Sequence, residues 1–152
     1  MSSWQLAEDS EVRFASHLNG ISSPYSLPAK SSMDGSSFRR LDAWQQARVL
    51  AGDIYRATRS FPKDEMFGLT QQMRRAALSV LSNVAEGQGR RTPADKRNFT
   101  FVARGSIYEL EAQIVIATDL EYFDEATAER LVAQMLEVTR ALNGLIRYFG
   151  KE

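Results

Sequence analysis

The sequence predicts an all-α protein, an antiparallel up-and-down four-helix bundle that covers roughly residues 38–152. Apolar residues recur there at spacings of three and four in four successive stretches, the period of an α-helix with one buried face. Proline, glycine or short polar segments separate these stretches, and none alternates polar and apolar residues as a half-buried strand does. Short connections cannot carry the chain back along a helix of about 30 Å, so consecutive helices must run antiparallel.

The first helix is predicted from Arg39 to Arg59. Phe61-Pro62 follows it and ends it, because proline lacks an N–H and pushes the preceding residue out of the α region. The residues of this helix that recur on one side are Leu41, Trp44, Ala47, Ala51, Ile54 and Tyr55.

The second helix is predicted to begin near Asp64 and Glu65, whose negative charges suit the positive end of a helix. Gly87-Gln88-Gly89 is predicted to end it with a glycine in the left-handed cap conformation. Small residues in its central turns allow a neighbouring helix to approach closely, so this helix is expected to be the most enclosed of the four. Its buried side is predicted to consist of Leu69, Met73, Ala76, Ala77, Val80, Leu81 and Val84.

The start signals of the third and fourth helices are stronger. Thr92 is a cap residue and Pro93 suits the first helical position, so the third helix begins there and runs to about Leu120. Gly105 in its middle is predicted to permit close packing. Asp124 offers a cap to the fourth helix. The residues predicted to form the apolar stripe, the buried side, of the third helix are Phe99, Val102, Ala103, Ser106, Ile107, Leu110, Ile114 and Ala117. Those of the fourth helix are Leu131, Met135, Val138, Leu142, Leu145 and Phe149.

Residues 1–37 form a different kind of segment. They are rich in serine, with scattered glycine and proline, and no apolar period lasts through two turns. We therefore expect a flexible N-terminal tail followed by a bundle domain at 38–152. Met33 stands just before the periodic region, which raises the hypothesis that translation naturally begins there.

Composition argues against several classes of chemistry. The chain has no cysteine, so thiol nucleophiles, disulfides and the usual zinc sites are not expected, and a reducing, cytoplasmic setting fits best. No apolar run approaches the roughly 18 residues that a membrane span needs. The only histidine, His17, lies in the expected tail. Di-iron Glu-x-x-His pairs and phosphate-binding Gly-x-x-x-x-Gly-Lys signatures are missing from the sequence, so we expect no catalytic residue, no metal and no cofactor.

Charge is divided unevenly along a chain whose net charge is zero. Residues 38–107 contain 13 Lys/Arg and 6 Asp/Glu, whereas residues 108–152 contain 4 and 9. Guanidinium groups match the geometry of phosphates, and a row of them would bind a nucleic-acid backbone. The predicted nucleic-acid-binding residues are Arg39, Arg40, Arg74, Arg75, Arg90, Arg91, Lys96 and Arg97.

Carboxylates near the predicted core have two interpretations. Glu86, Glu109 and Glu111 are candidates for an acid/base pair in the bundle interior, but a structural polar network, with Glu109 paired to Arg74 or Arg75, is the favoured interpretation. The predicted second helix ends in polar residues, and the side chains of Asn83 and Glu86 there are expected to hydrogen-bond backbone groups of a neighbouring helix or subunit. The residues assigned to structure or assembly are therefore Asn83, Glu86, Gly87, Glu109 and Glu111.

The order of these motifs resembles the 23S rRNA intervening-sequence proteins, which are four-helix bundles. The resemblance covers nearly all of the chain after the tail and is carried by Phe38-Arg39-Arg40-Leu41-Asp42-Ala43-Trp44-Gln45, Phe67-Gly68-Leu69, Gln72-Met73-Arg74-Arg75-Ala76-Ala77, Asn83-Val84-Ala85-Glu86-Gly87-Gln88-Gly89-Arg90 and Glu109-Leu110-Glu111. That family is similar to the accessory protein of diversity-generating retroelements, which partners a reverse transcriptase and nucleic acid. The resemblance thus implies a homopentameric ring that associates with RNA or DNA and with a nucleic-acid-processing protein.

Two functions stay open on the sequence. The first is a non-enzymatic oligomeric bundle that binds RNA or DNA through arginine-rich surfaces. The second is a protein-interaction scaffold, in which the opposite charges of the two halves pair between subunits and an exposed aromatic such as Trp44, Tyr55 or Tyr148 docks a partner. Arg74 and Arg75 discriminate between them, since burial against carboxylates would make them unavailable to phosphate.

Overall fold

The computed structural model describes residues 37–151, so the predictions for the tail up to residue 36 and for Met33 concern residues outside that range. Within the described range the chain forms four α-helices, and no strand occurs among these residues. The all-α four-helix bundle is therefore confirmed. The helices are α1, Asp42–Ala57; α2, Leu69–Gln88; α3, Pro93–Asp119; and α4, Glu125–Phe149.

The first two helices are shorter than predicted because 3₁₀ helices flank them. Ser37–Arg40 and Thr58–Ser60 are 3₁₀ helices on either side of α1, and Lys63–Phe67 is a third one before α2. Glu65 consequently does not begin α2; its Oε2 instead accepts a 2.9 Å hydrogen bond from the Leu69 N–H. The carboxylate still serves the positive helix end, but from outside the helix.

The predicted starts of α3 and α4 are confirmed. Thr92 Oγ1 accepts the Asp95 N–H at 3.1 Å, and Pro93 occupies the first turn. Asp124 Oδ1 accepts the Thr127 N–H at 2.7 Å, and the hydrogen bonds from Thr127 hold the pKa of Asp124 below its usual range.

The predicted left-handed cap of α2 is wrong. Gly89 follows the helix with φ −76° and ψ −10°, in the right-handed region, and no described glycine has a positive φ. The Gly89 N–H bonds to the Glu86 carbonyl at 3.0 Å, so a tightened last turn satisfies these backbone groups instead.

The predicted stripes form one shared core, with two exceptions: Tyr55 is 37% exposed and Val102 is 53% exposed, because each lies on the outer side of its helix. The largest fully buried side chains come from all four helices, and they are Leu50, Ile54, Met73, Val80, Ile107, Leu110, Ile114, Leu131, Val138 and Leu142. Each helix packs mainly on the two beside it, in the order α1, α2, α3, α4 and back to α1. The α2–α3 contact is the most extensive, and α2 buries seven of its 20 residues, the largest share of any helix, as predicted.

Two glycines differ from each other in what surrounds them. A Cβ on Gly87 would be 3.1 Å from Phe99 Cβ and 3.4 Å from the Lys96 carbonyl, so Gly87 allows α2 and α3 to meet closely. Among residues 37–151, Gly105 has no such neighbour within 4 Å. The prediction that Gly105 permits close packing is therefore wrong within this chain, because it lies on the outward side of α3.

Antiparallel packing gives the bundle two distinct ends. One end holds the start of α1, the end of α2, the start of α3 and the end of α4. At the other end Tyr122 donates a 3.0 Å hydrogen bond to Glu65, and Phe61 packs on Tyr122 and Phe123. Among the helices of residues 37–151, none combines the length and the apolar character that crossing a lipid bilayer requires.

A polar contact joins α1 to α4 near the end of the bundle that holds Tyr122. Asp53 accepts hydrogen bonds from Gln134 at 2.5 Å and from Arg56 at 2.6 Å, and Arg130 lies 3.6 Å away. Burial alone would raise the pKa of Asp53, but the hydrogen bonds from Gln134 and Arg56 and the nearby positive charges lower it below the usual value. This carboxylate is thus structural.

Candidate nucleic-acid interface

Basic side chains gather at the end of the bundle where α3 begins, which we call the basic end. Three acidic residues lie among them: Asp42, Glu86 and Asp95. The opposite end has eight carboxylates and six basic residues, so the bundle is polarised along its axis. The nine basic residues of the basic end are Arg39, Arg40, Arg90, Arg91, Lys96, Arg97, Arg104, Arg147 and Lys151.

Aromatic rings support several of these cations. Arg90 lies over the Phe99 ring, with Cζ 4.4 Å from its centroid. Arg97 and Arg104 both lie over Phe101, at 5.4 and 5.0 Å. These distances fall within the range of cation–π attraction, which holds a guanidinium in place while its N–H groups remain available to a ligand.

Contacts between α3 and α4 fix the shape of this end. Arg104 Nη1 donates a 3.0 Å hydrogen bond to Asn143 Oδ1 across the two helices. Arg97 lies against Gly150, since a Cβ built on that glycine would be 3.5 Å from Arg97 Cζ. The ammonium of Lys96 lies 6.0 Å from the centroid of the Phe149 ring. The start of α3 and the end of α4 therefore present one continuous basic surface.

Six of the eight predicted nucleic-acid-binding residues meet here. Arg74 and Arg75 do not, because α2 begins at the opposite end of the bundle and they lie near its start. Arg74 is half-buried; its Nε donates a 2.9 Å hydrogen bond to Thr58 Oγ1, and its guanidinium covers Tyr55 with Cζ 4.8 Å from the ring centroid. Arg75 is exposed on the same part of α2. Arg74 consequently packs α1 on α2 rather than extending the basic end.

The expected pairing of Glu109 with Arg74 or Arg75 is wrong within the described residues. Glu109 and Glu111 are both exposed, and Glu109 accepts a 3.2 Å hydrogen bond from Gln113 of its own helix. The core cluster that fills the bundle between the four helices consists of apolar side chains. These two carboxylates therefore stand outside it, on the outer side of α3.

The polar end of α2 is satisfied locally within one copy, so the expected contacts of Asn83 and Glu86 to a neighbouring helix are wrong for a single chain, whereas contacts to a neighbouring subunit stay a prediction. Asn83 Nδ2 donates to the Ser79 carbonyl at 2.8 Å, and Glu86 pairs with Arg90 at 2.5 Å. Gly87 does serve structure, through the close approach to Phe99. The negative charge of Glu86 also partly neutralises the positive charge of Arg90 at the basic end.

Arg147 and Lys151 were missed by sequence reasoning. They belong to the acidic half of the chain, so counting charge along the sequence conceals them. The signal that finds them is topological: in an antiparallel bundle the last turn of the fourth helix lies beside the first turn of the third. Among residues 37–151 no three His, Cys, Asp or Glu side chains converge in a group that could hold a metal ion.

The fold and this surface together define a class of protein, a four-helix bundle with one strongly basic end. A sequence profile described as 23S rRNA-intervening sequence protein matches residues 39–144. The chain therefore belongs to the 23S rRNA-intervening sequence protein family, as its motifs indicated.

A solved structure shares this fold. It is a crystal structure from Bacteroides thetaiotaomicron VPI-5482, described as a protein with unknown function from the S23 ribosomal protein family. The two chains are 20% identical with a TM-score of 0.62, and the match covers 68% of this chain and 97% of the other. No curated protein sequence matches the chain. At this identity the likeness concerns the fold alone.

Proposed function

We propose that this protein is a non-enzymatic, homo-oligomeric accessory protein of the cytoplasm that binds the backbone of RNA or DNA through its basic end. The observation that carries the proposal is the gathering of nine basic residues against three acidic ones at one end of the bundle. Each phosphate bound there would release a condensed counterion, which is the main source of affinity for nucleic acids of any sequence. Family membership favours the same role.

Arginine orientation strengthens this proposal. Arg97 and Arg104 are held over one ring, that of Phe101, which itself is 37% exposed. Ordering a long side chain costs conformational entropy, and a side chain already ordered by an aromatic ring loses less of it when a phosphate binds. A half-exposed ring beside guanidinium groups also suits contact with an unpaired base.

The contacts within one copy do not favour the scaffold alternative. Arg74 and Arg75 are not paired with Glu109 or Glu111 in the described part of the chain. The pairing of opposite charges between subunits stays a prediction of that alternative. The non-enzymatic part of the proposal is supported by an apolar interior, from which the candidate acid/base residues Glu109 and Glu111 turn away. The resemblance adds a ring of five copies and a nucleic-acid-processing partner to the proposal.

The first test is a fluorescence-anisotropy titration of a short labelled RNA and its DNA equivalent at several salt concentrations. If the basic end contacts phosphates, the logarithm of the binding constant falls linearly with the logarithm of salt, with a slope of about −0.7 for each phosphate bound on a single strand. We expect a loss of at least ~100-fold between about 50 and 200 mM salt. No binding at low salt, or affinity that salt does not change, would contradict the proposal.

A further inference from the structure

Aromatic rings lie among the positive charges where α3 meets α4 at the basic end. Residues 96–105 and 143–151, which form this seam, contain five lysine or arginine residues and no aspartate or glutamate. Two of their aromatic side chains are exposed, Phe101 at 37% and Tyr148 at 59%. A surface that binds phosphates alone gains nothing from exposed rings, whose contact with water costs free energy. The rings of this seam therefore call for a ligand with apolar faces as well as negative charge.

Two rows of side chains face each other across the seam. The row on α3 consists of Arg97, Phe101 and Arg104, and the row on α4 consists of Asn143, Arg147 and Gly150. Spacings of three and four keep each row on one side of its helix. The 3.0 Å hydrogen bond from Arg104 to Asn143 joins the rows at one end. The contact of Arg97 with Gly150 joins them at the other. Phe101 therefore lies opposite Arg147, with positive charge on three sides of its ring.

Contacts within the chain orient both exposed rings. The guanidinium carbons of Arg97 and Arg104 lie 5.4 and 5.0 Å from the centroid of the Phe101 ring. The Tyr148 ring meets the buried Phe149 ring edge to face, with centroids 5.4 Å apart and planes at 71°. Ordering these side chains costs conformational entropy, and much of that cost is already met before a ligand binds. A flat ligand can thus stack on them with little further ordering.

We propose that the ligand of this seam is an unpaired strand of nucleic acid. Its bases stack on Phe101 and Tyr148, and its phosphates bind the guanidinium groups beside these rings. In a duplex, neighbouring base pairs cover both faces of each base, so the rings have nothing to stack on. This inference rests on the proposed function and adds the substrate class to it, because phosphates alone do not reveal whether a strand is paired.

Stacking and phosphate binding have different experimental signatures. Affinity that comes from phosphates falls as salt rises, because it depends on the release of counterions. Stacking of a base on an aromatic side chain adds about fivefold or more to the affinity, and every base has a face that can stack. The seam therefore recognises bases that are free to stack, whatever their sequence. Its signature is a gain in affinity from bases when the number of phosphates is held constant.

An abasic oligonucleotide tests this inference, because it carries the same phosphates without the bases. The full chain is titrated by fluorescence anisotropy with a short labelled oligothymidine and with an abasic strand of the same length. We expect the oligothymidine to bind at least about fivefold more tightly than the abasic strand. Equal affinities that show the expected salt dependence would overturn this inference and leave the proposed function standing. Failure of both probes to bind at low salt would overturn the proposed function as well.

A double variant assigns the gain to the two rings. Phe101→Leu with Tyr148→Leu is expected to bind the oligothymidine about fivefold or more weakly than the natural chain does, and no more tightly than it binds the abasic strand. The slope of affinity against salt should not change, because neither substitution alters a charge. Both rings are exposed, so the helical circular dichroism should stay the same. An equal loss of affinity for the oligothymidine annealed to its complement would show that the rings only hold the arginines, and would overturn the inference.

Tyr55→Leu is the matched control. Tyr55 is 37% exposed, as Phe101 is, and it also lies beneath an arginine, with the Cζ of Arg74 4.8 Å from its centroid. It belongs to the last turn of α1, away from the basic end. Its replacement should leave the affinities for the oligothymidine and the abasic strand within about twofold of those of the natural chain, because charges and rings at the basic end are unaltered. A loss equal to that of the double variant would contradict the placement of the bases on the seam.

Discussion

Replacing Arg91 and Arg97 together with glutamate is expected to weaken the binding of a short RNA or DNA by roughly 100-fold at about 0.1 M salt. Both side chains are exposed at the basic end, so the bundle should fold unchanged. Each lost phosphate contact removes the release of about 0.7 to 0.9 counterions, worth nearly a factor of ten at that salt concentration, and the new carboxylates repel the backbone. The slope of affinity against salt should become shallower by about 1.4 to 1.8.

A matched variant separates this site from the general charge of the protein. Arg59→Glu with Arg75→Glu changes the net charge by the same amount at two exposed positions away from the basic end. Its affinity for the same probe should stay within a few-fold of the natural chain, because charges farther than about a Debye length of 8–10 Å are largely screened. Equal losses in the two double variants would show that binding follows net charge alone.

Leu142→Ala is expected to lower the free energy of unfolding by about 2–5 kcal/mol. Leu142 is fully buried among the side chains that all four helices contribute to the core. Removing three of its carbons loses their transfer free energy and leaves a cavity that the packed helices can only partly fill. Urea-induced unfolding followed by circular dichroism, at one fixed protein concentration, measures the change.

Leu136→Ala makes the same chemical change on the same helix at a position that is 55% exposed. Leucine and alanine have similar helix propensities, so the stability should change by no more than about 0.5 kcal/mol. The account places Leu142 in the shared core and Leu136 outside it. Equal destabilisation by the two variants would contradict that distinction.

The fold was predictable because its signals are local or periodic. Thr92-Pro93 and Asp124 began their helices where predicted, since a side-chain cap acts within three residues of itself. The apolar stripes identified the core for the same reason, because a period of three and four depends only on the helix. The predictions of helix ends that depend on neighbouring elements were less accurate. Glu65 bonds to the start of α2 from a 3₁₀ helix, and no nearby residue indicates that this 3₁₀ helix forms.

The candidate site was predictable only in part, because it depends on which helix ends meet. Pairs of adjacent arginines looked equivalent along the sequence, yet Arg90 and Arg91 lie at the basic end, whereas Arg74 packs on Thr58 and Tyr55. Arg147 joins the basic end from the acidic half of the chain. Gly105 shows the same limit, since sequence indicates that a small residue is present but not which surface it faces.

The most direct test of the basic end is photocrosslinking of the full chain to an RNA that contains thiouridine, followed by mass spectrometry of the crosslinked peptides. The phosphate-binding account predicts adducts in the segments that form the basic end, namely residues 39–40, 90–104 and 147–151, which include the rings of Phe99 and Phe101 that lie beneath its arginines. Crosslinks confined to residues 58–75, at the opposite end of the bundle, would contradict it.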